Sequence, residues 1–313
     1  MERPVLDSKF IFVVGSPRSG TTWLQHMLSS MPNVASINAE LTVFSRYIAP
    51  WANNFRIEQS NIESGRWRQG LPLVMNREGF DRIIYDLLER IYGFVLRSSD
   101  NATFILDKHP NYANYIPLIS TYLPNSYFIH IIRDGRDVAV SMVSVSRRVG
   151  HGPGDVRSAA KEWLRNYSNA HQAGTELGPT RYMEVRYEEL LADPVPQLQR
   201  ILKGVGLQSD ISMVSRVVDE HHISKKLLSR GDGAAKQIDA VPAWHALGLH
   251  DRFRFDRIAG KALVSLGYAK PGWWAYGPLD KLWMTAYPPL VRVKRSVLAV
   301  IKAWTDPLES GEA

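Results

Sequence analysis

Apolar residues fall along this chain in two textures, dense short runs and longer stretches with helical spacing. Phe10-Ile11-Phe12-Val13-Val14 is the first dense run. It is β-branched and aromatic and too short for a helix, so it predicts a strand. Thr103 to Leu106, Ser126 to Ile132 and Arg181 to Arg186 predict three more, and Val34 to Ile37 a short extended piece. Between these runs Phe80, Ile83, Ile84, Leu87, Leu88 and Ile91 recur at helical spacing. Val156, Ala160, Trp163, Leu164 and Tyr167 do the same behind Asp155, a residue suited to capping. Further helices are expected over Val138 to Ser146, Val195 to Val205, Ser212 to His221 and Phe253 to Leu266. Alternating strands and helices predict an α/β fold, a parallel sheet covered on both faces. Ile48 to Val74 follows neither period. Its Trp51, Phe55, Trp67 and Leu71 suit equally the wall of a pocket and the apolar side of a long loop.

The chemistry gathers where predicted strands end. The first runs into Gly15-Ser16-Pro17-Arg18-Ser19-Gly20-Thr21-Thr22-Trp23, and a helix with Leu24, Met27 and Leu28 on its apolar face follows. Glycines let such a loop curl with its amides inward, and a helix N-terminus adds positive potential, so the pair makes an anion site. Arg18 adds a charged planar fork matched to phosphate or sulfate oxygens. The spacing fits the nucleotide-hydrolase loop Gly-x-x-x-x-Gly-Lys-[Ser/Thr], except that Thr21 stands where the lysine belongs. A loop without that lysine is poorly equipped for a γ-phosphate. Asp107-Lys108-His109-Pro110 follows the Thr103 strand, and Pro110 biases His109 away from helix. Lys108 and His109 therefore lie at a strand's carboxyl end, where open α/β sheets bind ligands. Arg133 ends the next strand, and Ser141 lies roughly two helical turns on, so both suit one phosphate. Glu40 sits one short element beyond the anion loop. It can face that loop or simply begin the next helix in solvent.

The 313 residues suit one large α/β domain with an appendage, and 45% hydrophobic content suffices for its core. A net charge of +7 favours an anionic ligand or surface. No nucleic-acid-binding signature or dense basic run accompanies it, so nucleic acid is not expected as a partner. The chain has no cysteine, which excludes disulfide scaffolds, thiolate metal sites and cysteine catalysis. Met1-Glu2-Arg3-Pro4 lacks a signal peptide's apolar core, and no apolar run approaches bilayer length. The expectation is a cytoplasmic protein. After Pro271-Gly272-Trp273-Trp274-Ala275-Tyr276, a helix from Leu290 to Trp304 gathers Val293, Val297, Val300, Ile301 and Trp304 on one face. That face suits peripheral contact with an anionic membrane, pairing in a homodimer, or packing on its own domain.

Pro17-Arg18-Ser19-Gly20-Thr21-Thr22-Trp23 is similar to the 5′-phosphosulfate loop of sulfotransferases. Arg133-Asp134-Gly135-Arg136-Asp137-Val138-Ala139-Val140-Ser141 is similar to their 3′-phosphate element. The resemblance implies a P-loop-like three-layer α/β fold with a parallel sheet of about five strands. It covers most of residues 10 to 270, which implies a domain over residues 1–270 and leaves 271–313 as an aromatic and amphipathic helical C-terminal extension. It implies transfer of a sulfonyl group from 3′-phosphoadenosine-5′-phosphosulfate (PAPS) to a hydroxyl or amine acceptor, without a metal. The acceptor stays open among small molecules, carbohydrates, lipids and peptides.

By that resemblance Ser19, Gly20, Thr21 and Thr22 hold the 5′-phosphate, Trp23 stacks on adenine, and Arg133 and Ser141 hold the 3′-phosphate. Tyr187, in the Tyr-Glu-x-Leu turn after the fourth strand, lies near the nucleotide. Arg230 and Lys236 match loosely a loop that closes on the 3′-phosphate, since the usual Gly-Asp-Trp-Lys string is absent. Arg18 and Lys108 neutralise charge on the leaving oxygen, as transfer chemistry of this kind requires. Arg136 and Asp137 are expected at the surface or in ion pairs. Cytosolic sulfotransferases commonly carry Lys-Thr-His with the histidine as base, whereas this chain has Lys108-His109-Pro110. Tyrosylprotein sulfotransferases have a glutamate base downstream of the loop and a lysine after the next strand, which Glu40 and Lys108 resemble. Glu40 is therefore the favoured general base and His109 the second candidate. A nucleotide-dependent kinase and a non-catalytic anion- or membrane-binding protein are the alternatives.

Overall fold

The computed structural model describes residues 5–99, 101–222, 242–275 and 277–280. Arg230, Lys236 and the expected helix at Leu290 to Trp304 lie outside the described residues. The chain divides into two compact units, Met1–His245 and Ala246–Ala313.

Five parallel strands form the centre of the first unit, in the order β2-β3-β1-β4-β5. They are β1 (Lys9–Gly15), β2 (Val34–Ala35), β3 (Phe104–Lys108), β4 (Ser126–Ile132) and β5 (Tyr182–Arg186). The period of two along β1 sends alternate residues to opposite faces, and each face meets its own core. Phe10, Phe12 and Val14 join Ile105, Phe128 and Tyr182 in one cluster. Ile11 and Val13 join Leu106, Ile129, Ile131 and Val185 in the other. The first cluster is closed by α3 (Arg77–Leu96), α4 (Ile116–Tyr122) and α6 (Val156–Leu177). The second is closed by α1 (Thr21–Ser29), α8 (Pro194–Val205) and α9 (Ile211–Glu220). Strands buried on both faces read as continuous apolar runs, which is why the sequence shows runs rather than alternation.

Sequence signals set most helix starts. Asn76 caps α3 by accepting from the Gly79 amide, and Asp155 caps α6 by accepting from Ser158. Asp134 caps α5 (Gly135–Val149), which begins three residues before the Val138 expected from its apolar periodicity. The described helices of the first unit also include α2 (Ala49–Glu63) and the short α7 (Tyr187–Ala192). The second unit contains α10 (Leu249–Ser265), on which Phe255, Ala259 and Leu263 are buried.

The segment without a readable period holds α2. A π-helical turn at Val43–Ile48 leads into it, and Pro50 sits in its first turn. Of its fifteen residues only Phe55 and Asn61 are buried, while Trp51 and Ile57 remain about two-fifths exposed at 41% and 40%. A helix with so narrow a buried stripe leaves almost no amphipathic signature.

Candidate active site

Every expected site residue of the described first unit lies at the carboxyl edge of the sheet or on a segment that returns to it. The β1–α1 loop forms the centre. Arg18 takes a left-handed conformation at φ 72° and Gly20 another at φ 98°. A side chain on Gly20 would place Cβ 2.6 Å from the Tyr187 ring, so only glycine fits there. Gly20 is also the N-cap residue of α1 and supplies no side-chain cap. Ser16 and Ser19 are buried, yet neither hydroxyl has a hydrogen-bond partner. Buried hydroxyls without partners at an uncapped helix start suit a ligand rich in acceptor oxygens. Thr21 is buried and Thr22 exposed at the same turn.

The two phosphate motifs meet through side chains. Arg18 Nε donates to Ser141 Oγ at 3.1 Å, and Arg133 Nη1 donates to the Arg18 carbonyl at 3.3 Å. The Arg133 guanidinium lies 4.4 Å from the centre of the Tyr187 ring. The Arg133 carbonyl in turn accepts from the Trp163 indole at 3.2 Å. Trp23 is buried, with its ring edge-on to Tyr187 at 5.9 Å and its N–H donating to the His221 carbonyl. Arg136 is buried in an ion pair with Asp134 at 2.6 Å and lies 3.9 Å from the centre of the Trp244 ring. Asp137 accepts from the Trp244 amide at 2.9 Å. Of the two readings of Arg136, the ion pair is the one found.

A second group forms beside the loop. Lys108, nearly fully buried at the end of β3, donates to Thr22 Oγ1 at 3.2 Å and to Glu40 Oε1 at 2.7 Å. The other Glu40 oxygen lies 3.6 Å from His109 Nε2. Glu40 and His109, two separate candidates in the sequence, thus form one acid–base pair. Gln25 on α1 donates to the Ala39 carbonyl at 3.3 Å and so fixes the backbone next to Glu40. His109 is extended at φ −147°, ψ 123°, as the following proline requires. Burial lowers its pKa, with the Lys108 and Arg46 charges adding to the effect and Glu40 opposing it. Its imidazole is therefore neutral near pH 7. Beneath Lys108, Asp107 is buried and accepts from the Tyr92 hydroxyl at 2.9 Å. Burial pushes the Asp107 pKa up to about 6.

Four participants had no distinct signal in sequence. Ser16 is an ordinary loop serine until its burial is known, and Gln25 and Asp107 look like any polar residue of a helix and a strand end. Arg46 reaches the field of His109 only because the π-helical turn brings it back to the sheet edge.

The sequence profile of the sulfotransferase family matches residues 11–210, well over half of the chain. The chain belongs to the sulfotransferase family. This membership decides against the kinase reading of the P-loop-like turn. Protein-tyrosine sulfotransferase 2 of Gallus gallus is 27% identical over 203 residues, covering 63% of this chain and 51% of that protein. A putative protein-tyrosine sulfotransferase of Caenorhabditis briggsae is 28% identical over 208 residues, covering 66% of this chain and 68% of that protein. The chain spans about half the length of several curated relatives it matches, such as 51% of the Gallus gallus protein. The sulfotransferase domain of the Synechococcus PCC 7002 olefin synthase shares the fold with a TM-score of 0.51 at 22% identity. That alignment covers 85% of this chain and 98% of the domain. Among the described residues, no helix is long and apolar enough to cross a membrane. No group of three or more His, Cys, Asp or Glu side chains among them could hold a metal ion.

Proposed function

We propose that this sulfotransferase moves a sulfonyl group from PAPS to an acceptor hydroxyl. The observation that carries this reading is Lys108, whose ammonium group joins Thr22 of the anion loop to Glu40 of the acid–base pair. One buried cation thus links a site for leaving-group charge to a base. The unpartnered hydroxyls of Ser16 and Ser19 and the uncapped start of α1 fit a 5′-phosphate. In this reading Ser19, Gly20, Thr21 and Thr22 hold it, Arg133 and Ser141 hold the 3′-phosphate and Tyr187 closes the nucleotide side, which the contacts among Arg18, Ser141, Arg133 and Tyr187 support. Trp23 acts through its edge contact with Tyr187.

PAPS supplies the sulfonyl group. Glu40 accepts the acceptor's proton while the acceptor oxygen bonds to sulfur and the bond from sulfur to the bridging phosphate oxygen breaks. Lys108 and Arg18 neutralise the charge that leaves with that oxygen. The products are a sulfate ester and adenosine 3′,5′-bisphosphate, so atoms and charge balance with the proton on Glu40. Neutral His109 lies beside the second Glu40 oxygen at 3.6 Å and is the second group in this reading that can take the proton.

The test pairs binding with chemistry. Adenosine 3′,5′-bisphosphate should raise the melting temperature more than ATP with magnesium does. Mass spectrometry of an extract incubated with the protein and PAPS should show products heavier by one sulfonate. Stabilisation by ATP with magnesium alone, with no sulfonated product, would sink the proposal.

A further inference from the structure

A cavity of about 440 Å³ opens beside His109, and every side chain that lines it carries a polar atom. Arg46, His109, Asn111, Asn114, Arg165 and Asn169 line it, and none of its lining residues is acidic. We propose that this cavity is the acceptor subsite and that it selects a compact, hydroxyl-rich acid of the sugar-acid type. The inference rests on the sulfonyl-transfer reading and adds the acceptor's chemical class.

Four observations carry it. First, His109 belongs to both places: it lines the cavity, and its Nε2 lies 3.6 Å from Glu40. An acceptor seated against this wall therefore borders the acid–base pair. Second, two guanidinium groups face no acidic residue within the wall. Glu162, one turn before Arg165 on α6, offsets part of that charge and does not line the cavity. A carboxylate on the ligand suits two planar guanidinium forks better than an uncharged group does.

Third, the amides of the wall are already oriented. Asn114 donates to Asn166 at 2.6 Å and accepts from Asn169 at 2.8 Å, which ties the turn before α4 to α6. His109 Nδ1 and Asn111 Oδ1 have no hydrogen-bond partner at all. An apolar acceptor leaves both orphaned, at a cost that hydroxyl groups remove. Fourth, the volume falls at the small end of the roughly 300–1,000 Å³ typical of small-molecule sites. That size favours a compact ligand over a peptide segment or a lipid chain.

The experiment is calorimetry on the full chain, with methyl β-D-glucuronide, methyl β-D-glucoside, 1-octanol and a tyrosine peptide with acidic neighbours as probes. Each is titrated with and without saturating adenosine 3′,5′-bisphosphate. The glucuronide should bind roughly tenfold or more tightly than the glucoside, the scale of a charge-assisted hydrogen bond. Arg46→Gln and Arg165→Gln should each shrink that ratio while affinity for the bisphosphate holds. If either variant does not fold, the salt dependence of the wild-type protein decides: the glucuronide should lose affinity with added salt and the glucoside should not. Equal binding of glucuronide and glucoside, or tighter binding of octanol or the peptide, overturns the sugar-acid assignment. The bisphosphate arm reads the donor separately. Failure to bind it counts against sulfonyl transfer, whatever the sugars do.

Discussion

The donor side and the acid–base side of this site are built in different ways. On the donor side, Ser16 to Gly20 form one continuous loop that opens α1, and its shape is held by backbone, with Arg18 and Gly20 at positive φ. Arg133 and Ser141 come from one strand–helix junction, and a side-chain bond from Arg18 to Ser141 joins the two pieces. On the acid–base side, Glu40 stands outside any strand or helix, Lys108 ends β3 and His109 follows it. An ion pair at 2.7 Å joins Glu40 to Lys108, and His109 lies 3.6 Å from the other Glu40 oxygen. A site made by backbone tolerates loss of one side chain, because amides remain. A site made by side chains loses its geometry with any member.

The largest effect should therefore follow Glu40→Gln, which keeps size and loses basicity. Single-turnover rates with an alcohol acceptor should fall by about 10²–10⁴, with donor affinity nearly unchanged. His109→Ala should cost less and act more on acceptor binding. A large loss in His109→Ala beside near-normal Glu40→Gln would reverse the two roles.

Lys108→Ala breaks the comparison itself, because Lys108 touches both sides. Rates should drop by about 10²–10³ from lost charge stabilisation. Affinity for adenosine 3′,5′-bisphosphate should also fall, through Thr22. Unchanged bisphosphate affinity would show that the two sides are energetically separate.

Asp107 tests the support beneath the acid–base side. Burial raises its pKa from an ordinary 3.8 to about 6, so the fold favours the neutral acid. The stability this group contributes is full below pH 3.8 and is lost as pH rises through about 6. Asp107→Asn should match the wild type near pH 4 and exceed it by roughly 3 kcal/mol at pH 8, measured by urea denaturation. A difference that shrinks with rising pH would contradict the sign.

The smallest effects belong to the donor side. Arg133→Ala and Ser141→Ala should each weaken adenosine 3′,5′-bisphosphate by roughly 1–3 kcal/mol while AMP loses much less. Equal losses for both ligands would remove the 3′-phosphate assignment and leave only a general anion site.

The sequence by itself determined the architecture and the glycine-bounded loop that opens α1. Continuous apolar runs specify buried parallel strands, and a glycine-bounded loop that opens a helix makes an anion site wherever it folds. Caps such as Asn76 and Asp155 are likewise local, since each bonds an amide three residues on. Helix α2 escaped detection because its buried stripe is only Phe55 and Asn61. The pairing of Glu40 with Lys108 and His109 needed the tertiary structure. Those residues are 68 and 69 positions apart, and they meet because β3 adds beside β1 while Gln25 holds Ala39. Trp23, expected to stack on adenine, and Arg136, expected at the surface or in an ion pair, are both buried by the fold, one against Tyr187 and one against Asp134 and Trp244. Arg46, Asn111 and Arg165 carry no local signal of a common cavity. Local backbone preference decides what a loop can bind, whereas which side chains converge depends on how separate elements pack, and packing is a property of the whole sheet.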